Sequence, residues 1–309
     1  MQINENVTLA SFTVFKIGGP ARYFCEVKNK DEVAEAIRWA GNKFAGRGAP
    51  FFILGAGSNV LISDEGFPGL VIKMNLQEIK MAPPPALPIG KEDRGKEKII
   101  YAAAGVAMAK AVNFTIENGL SGFEWGVGIP GTIGGSVFGN AGCFGGEMKD
   151  IVESVEIFNG PNLKNKDCKF SYRSSIFKKH PEWIILGVTL NLKKGNPAES
   201  RKKILEYSKE RISESTQASG EKGAQEIGAE CAGCIFKNPK PDLSAGFLID
   251  TAGLKGKKIG GAMVSVKHGN FIINTGGATA KDVKELIECI KTEVQKKHGV
   301  ILEEEIRLI

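Results

Sequence analysis

Two glycine-rich stretches are where this 309-residue chain could bind a ligand with its own backbone. Between Gly126 and Gly146, nine of 21 residues are glycine and none is Lys or Arg. Glycine at that density weakens a regular element, so a functional reason comes first: close approach to a flat, phosphate-bearing ligand, with main-chain N–H groups as donors. A tight bend beneath a sheet is the plainer alternative. The second stretch, Gly55-Ala56-Gly57-Ser58-Asn59, follows the apolar run Phe51–Leu54 and points to the same large dinucleotide. It is not a Rossmann fingerprint, because Val60 replaces the third glycine and residues 60–63 read as a strand rather than a helix. A strand–turn–strand whose N–H groups and Ser58 and Asn59 side chains hold a pyrophosphate fits better. No Gly-Lys-Ser/Thr ends either run, which excludes a P-loop.

Other reactive side chains leave alternatives open. Cys231-Ala-Gly-Cys234 resembles half a zinc site or a dithiol. No second pair supplies four ligands, however, and Pro239 follows too soon for a helix-opening dithiol, so a single functional thiol is the better reading. Tyr172-Arg173 is either a surface arginine packed on Phe170 and Phe177 or a functional guanidinium. Glu303-Glu304-Glu305 would ordinarily be a solvated strand end, and His268, between Lys267 and Asn270, is unremarkable alone.

These groups need a scaffold, and composition allows one. Hydrophobic residues make up 42% and charged residues 25%, enough for two or three packed units. The net charge of +6 attracts phosphate-bearing small molecules. No Lys/Arg stripe interleaved with aromatics marks a nucleic-acid groove. The first residues lack a basic-then-apolar leader, and no run nears the roughly 18 apolar residues of a membrane span. Six scattered cysteines suit a reduced cytoplasmic protein.

Residues 13–27 and 51–74 read as short strands and turns. Between them Asp31-Glu32 open a helix with Val33, Ala36, Ile37 and Ala40 on one face. Residues 82–97, with four prolines, read as a surface excursion. A helix is expected over 106–118, with Met108, Ala111, Val112 and Ile116 inward. Strands are expected near 152–158 and 183–192, a polar helix over 200–213 and a polar loop over 215–228. The last unit starts near Cys231. It contains a helix N-capped by Thr279, burying Val283, Leu286, Ile287, Ile290 and Val294, and a terminal strand over 300–309. Without regular βαβ alternation, the class is α+β.

Taken in order, these segments resemble the UDP-N-acetylenolpyruvoylglucosamine reductase (MurB) family. The similarity runs from Phe15-Lys-Ile-Gly-Gly-Pro-Ala-Arg22 to Glu305-Ile-Arg307. Its most specific pieces are Gly55-Ala-Gly-Ser-Asn-Val-Leu-Ile62, Gly128-Ile-Pro-Gly-Thr-Ile-Gly-Gly135 with Asn140-Ala-Gly142, Tyr172-Arg173, and Gly233-Cys-Ile-Phe-Lys-Asn-Pro239. The resemblance implies an FAD-binding fold of the vanillyl-alcohol-oxidase type, with subdomains at 1–75 and 76–198. A substrate domain at 199–300 and a terminal strand at 301–309 complete it. It resembles the subgroup without an extra substrate-covering loop.

The resemblance also implies the chemistry. NADPH reduces non-covalently bound FAD, and hydride passes to UDP-N-acetylglucosamine enolpyruvate. Arg173, Cys234 and Glu305 then match the family's active-site arginine, proton donor and terminal glutamate. Gly55, Ala56, Gly57, Ser58, Asn59, Ile129, Pro130, Gly131, Gly135, Ser136, Asn140 and Ala141 would hold the cofactor. Tyr172, Lys237, Asn238, His268 and Asn270 would hold the substrate. No metal, nucleic acid or membrane insertion is implied, and a monomer of the bacterial cytoplasm is expected. Departures are Cys234 where many members have Ser, Ser174 for Asp, Glu304 for Pro, and Gln217-Ala218 for Gln-Pro.

Overall fold

The computed structural model describes residues 1–44, 50–82, 97–217 and 230–309, with backbone alone at 97 and 211–217. Most of the expected excursion at 82–97 and of the polar loop at 215–228 lies outside the described residues.

Three larger sheets follow one another along the described residues, beside two two-stranded pairings, Gly142–Cys143 with Gly146–Glu147 and Val60–Leu61 with Arg307–Leu308. The first places Asn4–Thr8, Pro20–Val27, Phe67–Met74 and Phe51–Leu54 side by side, antiparallel at the first pair and parallel thereafter. Its parallel strands need a crossover, supplied by the helix Lys30–Lys43. The Asn29 side chain caps that helix by accepting from Glu32 N–H, and Val33, Ala36 and Ala40 are buried. The expected strand–helix–strand start is therefore present. The second sheet is antiparallel, in the order Leu163–Lys164, Val152–Ile157, Ile185–Lys194, Glu97–Ala103, Ile79–Ala82. A third antiparallel sheet runs Cys231–Cys234, Phe271–Asn274, Ala262–Val264, Lys258–Ile259.

One hydrophobic core serves the first two sheets together, joining Tyr23, Cys25 and Val27 to Ile100, Val155 and Leu190. The third sheet has its own core with the helix Ala280–His298, where all five expected residues are buried. Phe15, Ile17 and Leu61 reach into this core from the N-terminal part.

Three elements differ from expectation. The glycine-rich run contains a helix, Ile133–Gly139, despite three glycines in seven residues. Tertiary contacts stabilise it where propensity does not: Ile133 and Val137 are buried, and Gly134 lies so close that a Cβ would sit 2.8 Å from Ala104 Cβ. Thr132 caps its start, and Asn140 ends it in the left-handed conformation at φ +47. The terminal strand is only Arg307–Leu308, because residues before it pair with two different partners in turn. The polar helix is longer, Pro197–Gln217.

Candidate active site

The first glycine stretch is a turn between Phe51–Leu54 and Val60–Leu61, the expected strand–turn–strand. It touches the second stretch directly: Ser58 Oγ donates to Pro130 O at 3.0 Å. The N–H groups of Ala56, Gly57, Ser58 and Gly131 meet no acceptor among the described residues. A row of free backbone donors is what a phosphate needs. Lys73, whose amine donates to Gly55 O, adds a cation that sequence reading missed; burial lowers its pKa, with Glu26 opposing.

The glycines themselves divide into two kinds. Gly57 has φ +67, and a Cβ there would come 2.2 Å from Phe12 O; a Cβ on Gly55 would come 2.8 Å from Thr132 Oγ1. Both are required by the protein's own packing rather than by a ligand's approach. Gly135 is different. It is helical and exposed, and its Cβ would meet nothing closer than Thr132 Oγ1 at 3.5 Å. Internal packing gives no reason for glycine there, so a surface that a bound cofactor would cover supplies one. The residues present therefore fit FAD.

Arg173 occupies the second position of a two-residue turn closed by reciprocal Ser171–Ser174 hydrogen bonds of 3.0 Å. Its φ of +52 is unusual for a non-glycine residue and marks a side chain held against local preference. Nη1 donates to Gly142 O at 3.1 Å, anchoring the guanidinium to the second glycine stretch. Nε lies 2.8 Å from Glu305 Oε1, but the Nε–H is not aimed at that oxygen and remains a buried donor without a hydrogen-bonded acceptor. Burial is the largest influence on the Arg173 pKa and lowers it, but Glu305, Tyr172 and Cys234 together outweigh it and the net direction is up. For Glu305, burial raises the carboxyl pKa, and Arg173 pulls it only partly back.

Cys234 joins them through the chain's last residues. Glu305 N–H donates to Ile235 O at 2.7 Å, and Lys237 N–H donates to Glu303 O at 2.9 Å. The tail thus lies along 235–237, with Glu305 beside Cys234. Burial pushes the Cys234 thiol up to about 12, Glu305 adding to the rise. A bulge at Gly233, φ +75, sets Cys231 and Cys234 opposite Ile273 and Phe271, which share a face of the sheet.

The expected substrate residues gather around this centre. The Tyr172 hydroxyl accepts from Asn238 N–H at 3.2 Å, and Asn238 Oδ1 accepts from Ala245 N–H at 3.1 Å. Lys237 pairs with Glu303 at 2.9 Å. His268 Nδ1 accepts from Asn270 N–H at 3.2 Å, while the Asn270 amide is occupied by both backbone groups of Phe236. Asn140 is likewise occupied, by Glu147, Ser171 O and Lys149 N–H. Both side-chain amides organise loops. Ser136 is buried and its carbonyl accepts from Ala141 N–H, which folds the helix end back beside Gly142. Ile129 packs on the first core. Lys178, five residues after Arg173, went unnoticed in the sequence. Burial lowers its pKa, Lys237, Arg307 and Arg173 push the same way, and Glu305 opposes.

The fold and the paired glycine stretches define an FAD-binding oxidoreductase. The model of the FAD binding domain matches residues 21–162, and that of the UDP-N-acetylenolpyruvoylglucosamine reductase C-terminal domain matches residues 225–309. The UDP-N-acetylenolpyruvoylglucosamine reductase of Caldanaerobacter subterraneus subsp. tengcongensis is 40% identical, covering 98% of this chain and 92% of its own. That of Chlamydia muridarum is 39% identical, over 99% and 94%. The crystal structure of the Thermus caldophilus reductase matches with a TM-score of 0.75 at 34% identity, covering 100% of this chain and 99% of that one. The chain belongs to the UDP-N-acetylenolpyruvoylglucosamine reductase family.

Proposed function

We propose that this chain reduces UDP-N-acetylglucosamine enolpyruvate to UDP-N-acetylmuramate, with NADPH as donor, in peptidoglycan precursor synthesis. The observation that carries this reading is a half-buried arginine, Arg173, whose buried Nε–H has no hydrogen-bonded acceptor, held between the second glycine stretch and the Glu305–Cys234 pair. Backbone donors at 56–58 and 131 would hold the cofactor's phosphates. Bound there, FAD would supply the hydride that NADPH donates, for the terminal carbon of the enolpyruvyl double bond.

The protein's own residues handle the charge and the proton. Arg173 binds the substrate carboxylate and stabilises the enolate-like charge that develops on it. The Cys234 thiol protonates the adjacent carbon. Glu305 stays close to that thiol and keeps it protonated. Tyr172, Lys237 and Asn238 form the wall on which the diphosphate end of the substrate rests. The reading includes subdomains at 1–75 and 76–198 around the cofactor and a substrate unit from 199, closed by the tail. It also includes a monomer in the bacterial cytoplasm, whose oligomeric state sedimentation of the holoenzyme checks.

The test is the visible spectrum of purified holoenzyme. NADPH should bleach the flavin bands, and stoichiometric enolpyruvyl UDP-sugar should restore them without oxygen. Bleached protein that only oxygen reoxidises would sink the reading.

A further inference from the structure

The Asn59 side chain is engaged with the C-terminal tail. Its Nδ2 donates to Glu305 O at 3.3 Å, and the main-chain carbonyl of Asn59 accepts from Arg307 N–H at 3.2 Å. Asn59 therefore grips the tail on both sides of Ile306, whose side chain is buried in the third core. Just before this point the tail is held from the other direction. Glu305 and Ile306 N–H both point to Ile235 O, at 2.7 and 3.4 Å. Just after it, Ile309 N–H donates to Leu61 O at 3.0 Å and Ser63 N–H donates to Ile309 O at 2.8 Å. Glu305 thus sits where the tail leaves the strand bearing Cys234 and joins the segment after the glycine turn.

That crossing point determines where the carboxylate lies. Arg173 is fixed independently, by its closed turn and by Gly142 O. The 2.8 Å Arg173–Glu305 contact is not a linear hydrogen bond, so it cannot set the geometry of the pair alone. The backbone at 305 must do so, and the Asn59 amide is its side-chain hold.

We propose that Asn59 is a positioning residue: its amide fixes Glu305 against Arg173 and Cys234, so that the turn cradling the cofactor's phosphates also sets the geometry of proton delivery. This inference rests on the function proposed above. It gives Asn59 a role different from the cofactor contact that sequence resemblance implies. Loss of a single hydrogen bond of this kind changes a rate by up to about tenfold.

The experiment is a double-mutant cycle on the holoenzyme, read by rapid mixing. Asn59→Ala should retain flavin and be reduced by NADPH within about twofold of wild type. Its reoxidation by the enolpyruvyl UDP-sugar should slow by on the order of tenfold. Asn59→Gln, which keeps the donor, should recover most of that loss. In a Glu305→Gln background, Asn59→Ala should slow reoxidation no further. In cofactor-free protein, Asn59→Ala should speed hydrogen exchange at residues 305–307. If melting shows that the Ala variant is unfolded, the isosteric Asn59→Asp, which also lacks the donor, carries the same test. Additive effects in the cycle, unchanged exchange at 305–307, or flavin loss as the sole defect would each overturn the proposal. Wild-type protein that NADPH bleaches but the enolpyruvyl sugar does not reoxidise fails the functional reading as well. An additive cycle in active wild type fails this inference alone.

Discussion

A thiol whose pKa stands near 12 is a poor nucleophile but still a ready acid towards a carbanion-like carbon. That is the state burial and Glu305 impose on Cys234. Cys234→Ala should therefore slow substrate-driven reoxidation by about 10²–10⁴, the usual contribution of a positioned acid. Cys234→Ser should keep substantial activity and Cys231→Ala should be nearly silent; equal damage from the two alanines would return a dithiol reading. The pH dependence follows in sign. Between the ordinary thiol value of 9.0 and about 12, the folded chain keeps the Cys234 proton while the unfolded chain loses it. The reoxidation rate should hold flat through pH 9, where an ordinary thiol would fail. Cys25 and Cys168, also raised to about 12 by burial, act the same way on stability. All three contributions are fully present below pH 9 and are lost as pH rises towards 12, so the melting temperature should fall across that window. Arg173→Ala tests the other half of the centre. Reduction by NADPH should be near normal and reoxidation severely slowed, because the guanidinium acts on the enolpyruvyl substrate, which enters only the second half-reaction; equal slowing of both phases would make it a fold-supporting residue.

At the scale of elements, the glycine-rich run shows what a sequence can and cannot reveal. Its density raises the expectation of a ligand, and the turn at 55–59 was legible because apolar strand residues flank it on both sides. The helix Ile133–Gly139 was not legible, since its stability comes from Ala104 and a Thr132 cap rather than from its own residues. The meeting of Glu305 with Cys234, 71 positions apart in the chain, depends on a tail pairing that no local pattern encodes. Resemblance supplied it instead. The same geometry decides which glycine variant is informative. Gly57→Val would drive a Cβ into Phe12 O and force a β-branched residue to φ +67, so it would damage the turn itself. Gly135→Leu is the cleaner change. Removing a helical glycine should leave cofactor-free protein as stable or up to about 1 kcal/mol more so. Flavin content should nevertheless drop sharply. Full flavin occupancy in Gly135→Leu would remove that helix from the cofactor site.

On the scale of the whole molecule, the proposed reaction needs the third unit docked firmly on the other two, because Arg173 lies in a turn of the second unit and Cys234 in a strand of the third. Three devices do this: the tail, the insertion of Phe15, Ile17 and Leu61 into the third core, and Asp64. Asp64 sits just beyond the glycine turn. Its two carboxylate oxygens accept from Ala280 N–H at 2.7 Å and Lys281 N–H at 3.0 Å, at the start of the helix Ala280–His298. That helix already has its own capping box, in which Thr279 and Asp282 satisfy each other's backbone N–H groups. Removing Asp64 therefore takes away the contact between units while the helix keeps its internal cap. Asp64→Ala should cost about 0.5–2 kcal/mol, the usual range for a lost cap. The loss should be local: amide exchange should quicken at residues 280–298 and 303–309, with the strands Val152–Ile157 and Ile185–Lys194 unaffected. Flavin binding should survive, since the glycine stretches belong to the first two sheets and their common core. Substrate-driven reoxidation should slow, because the thiol and the guanidinium would then share one geometry only part of the time. Uniform acceleration of exchange across all three sheets would show instead that the molecule unfolds as one unit and that Asp64 is simply one stabilising contact among many.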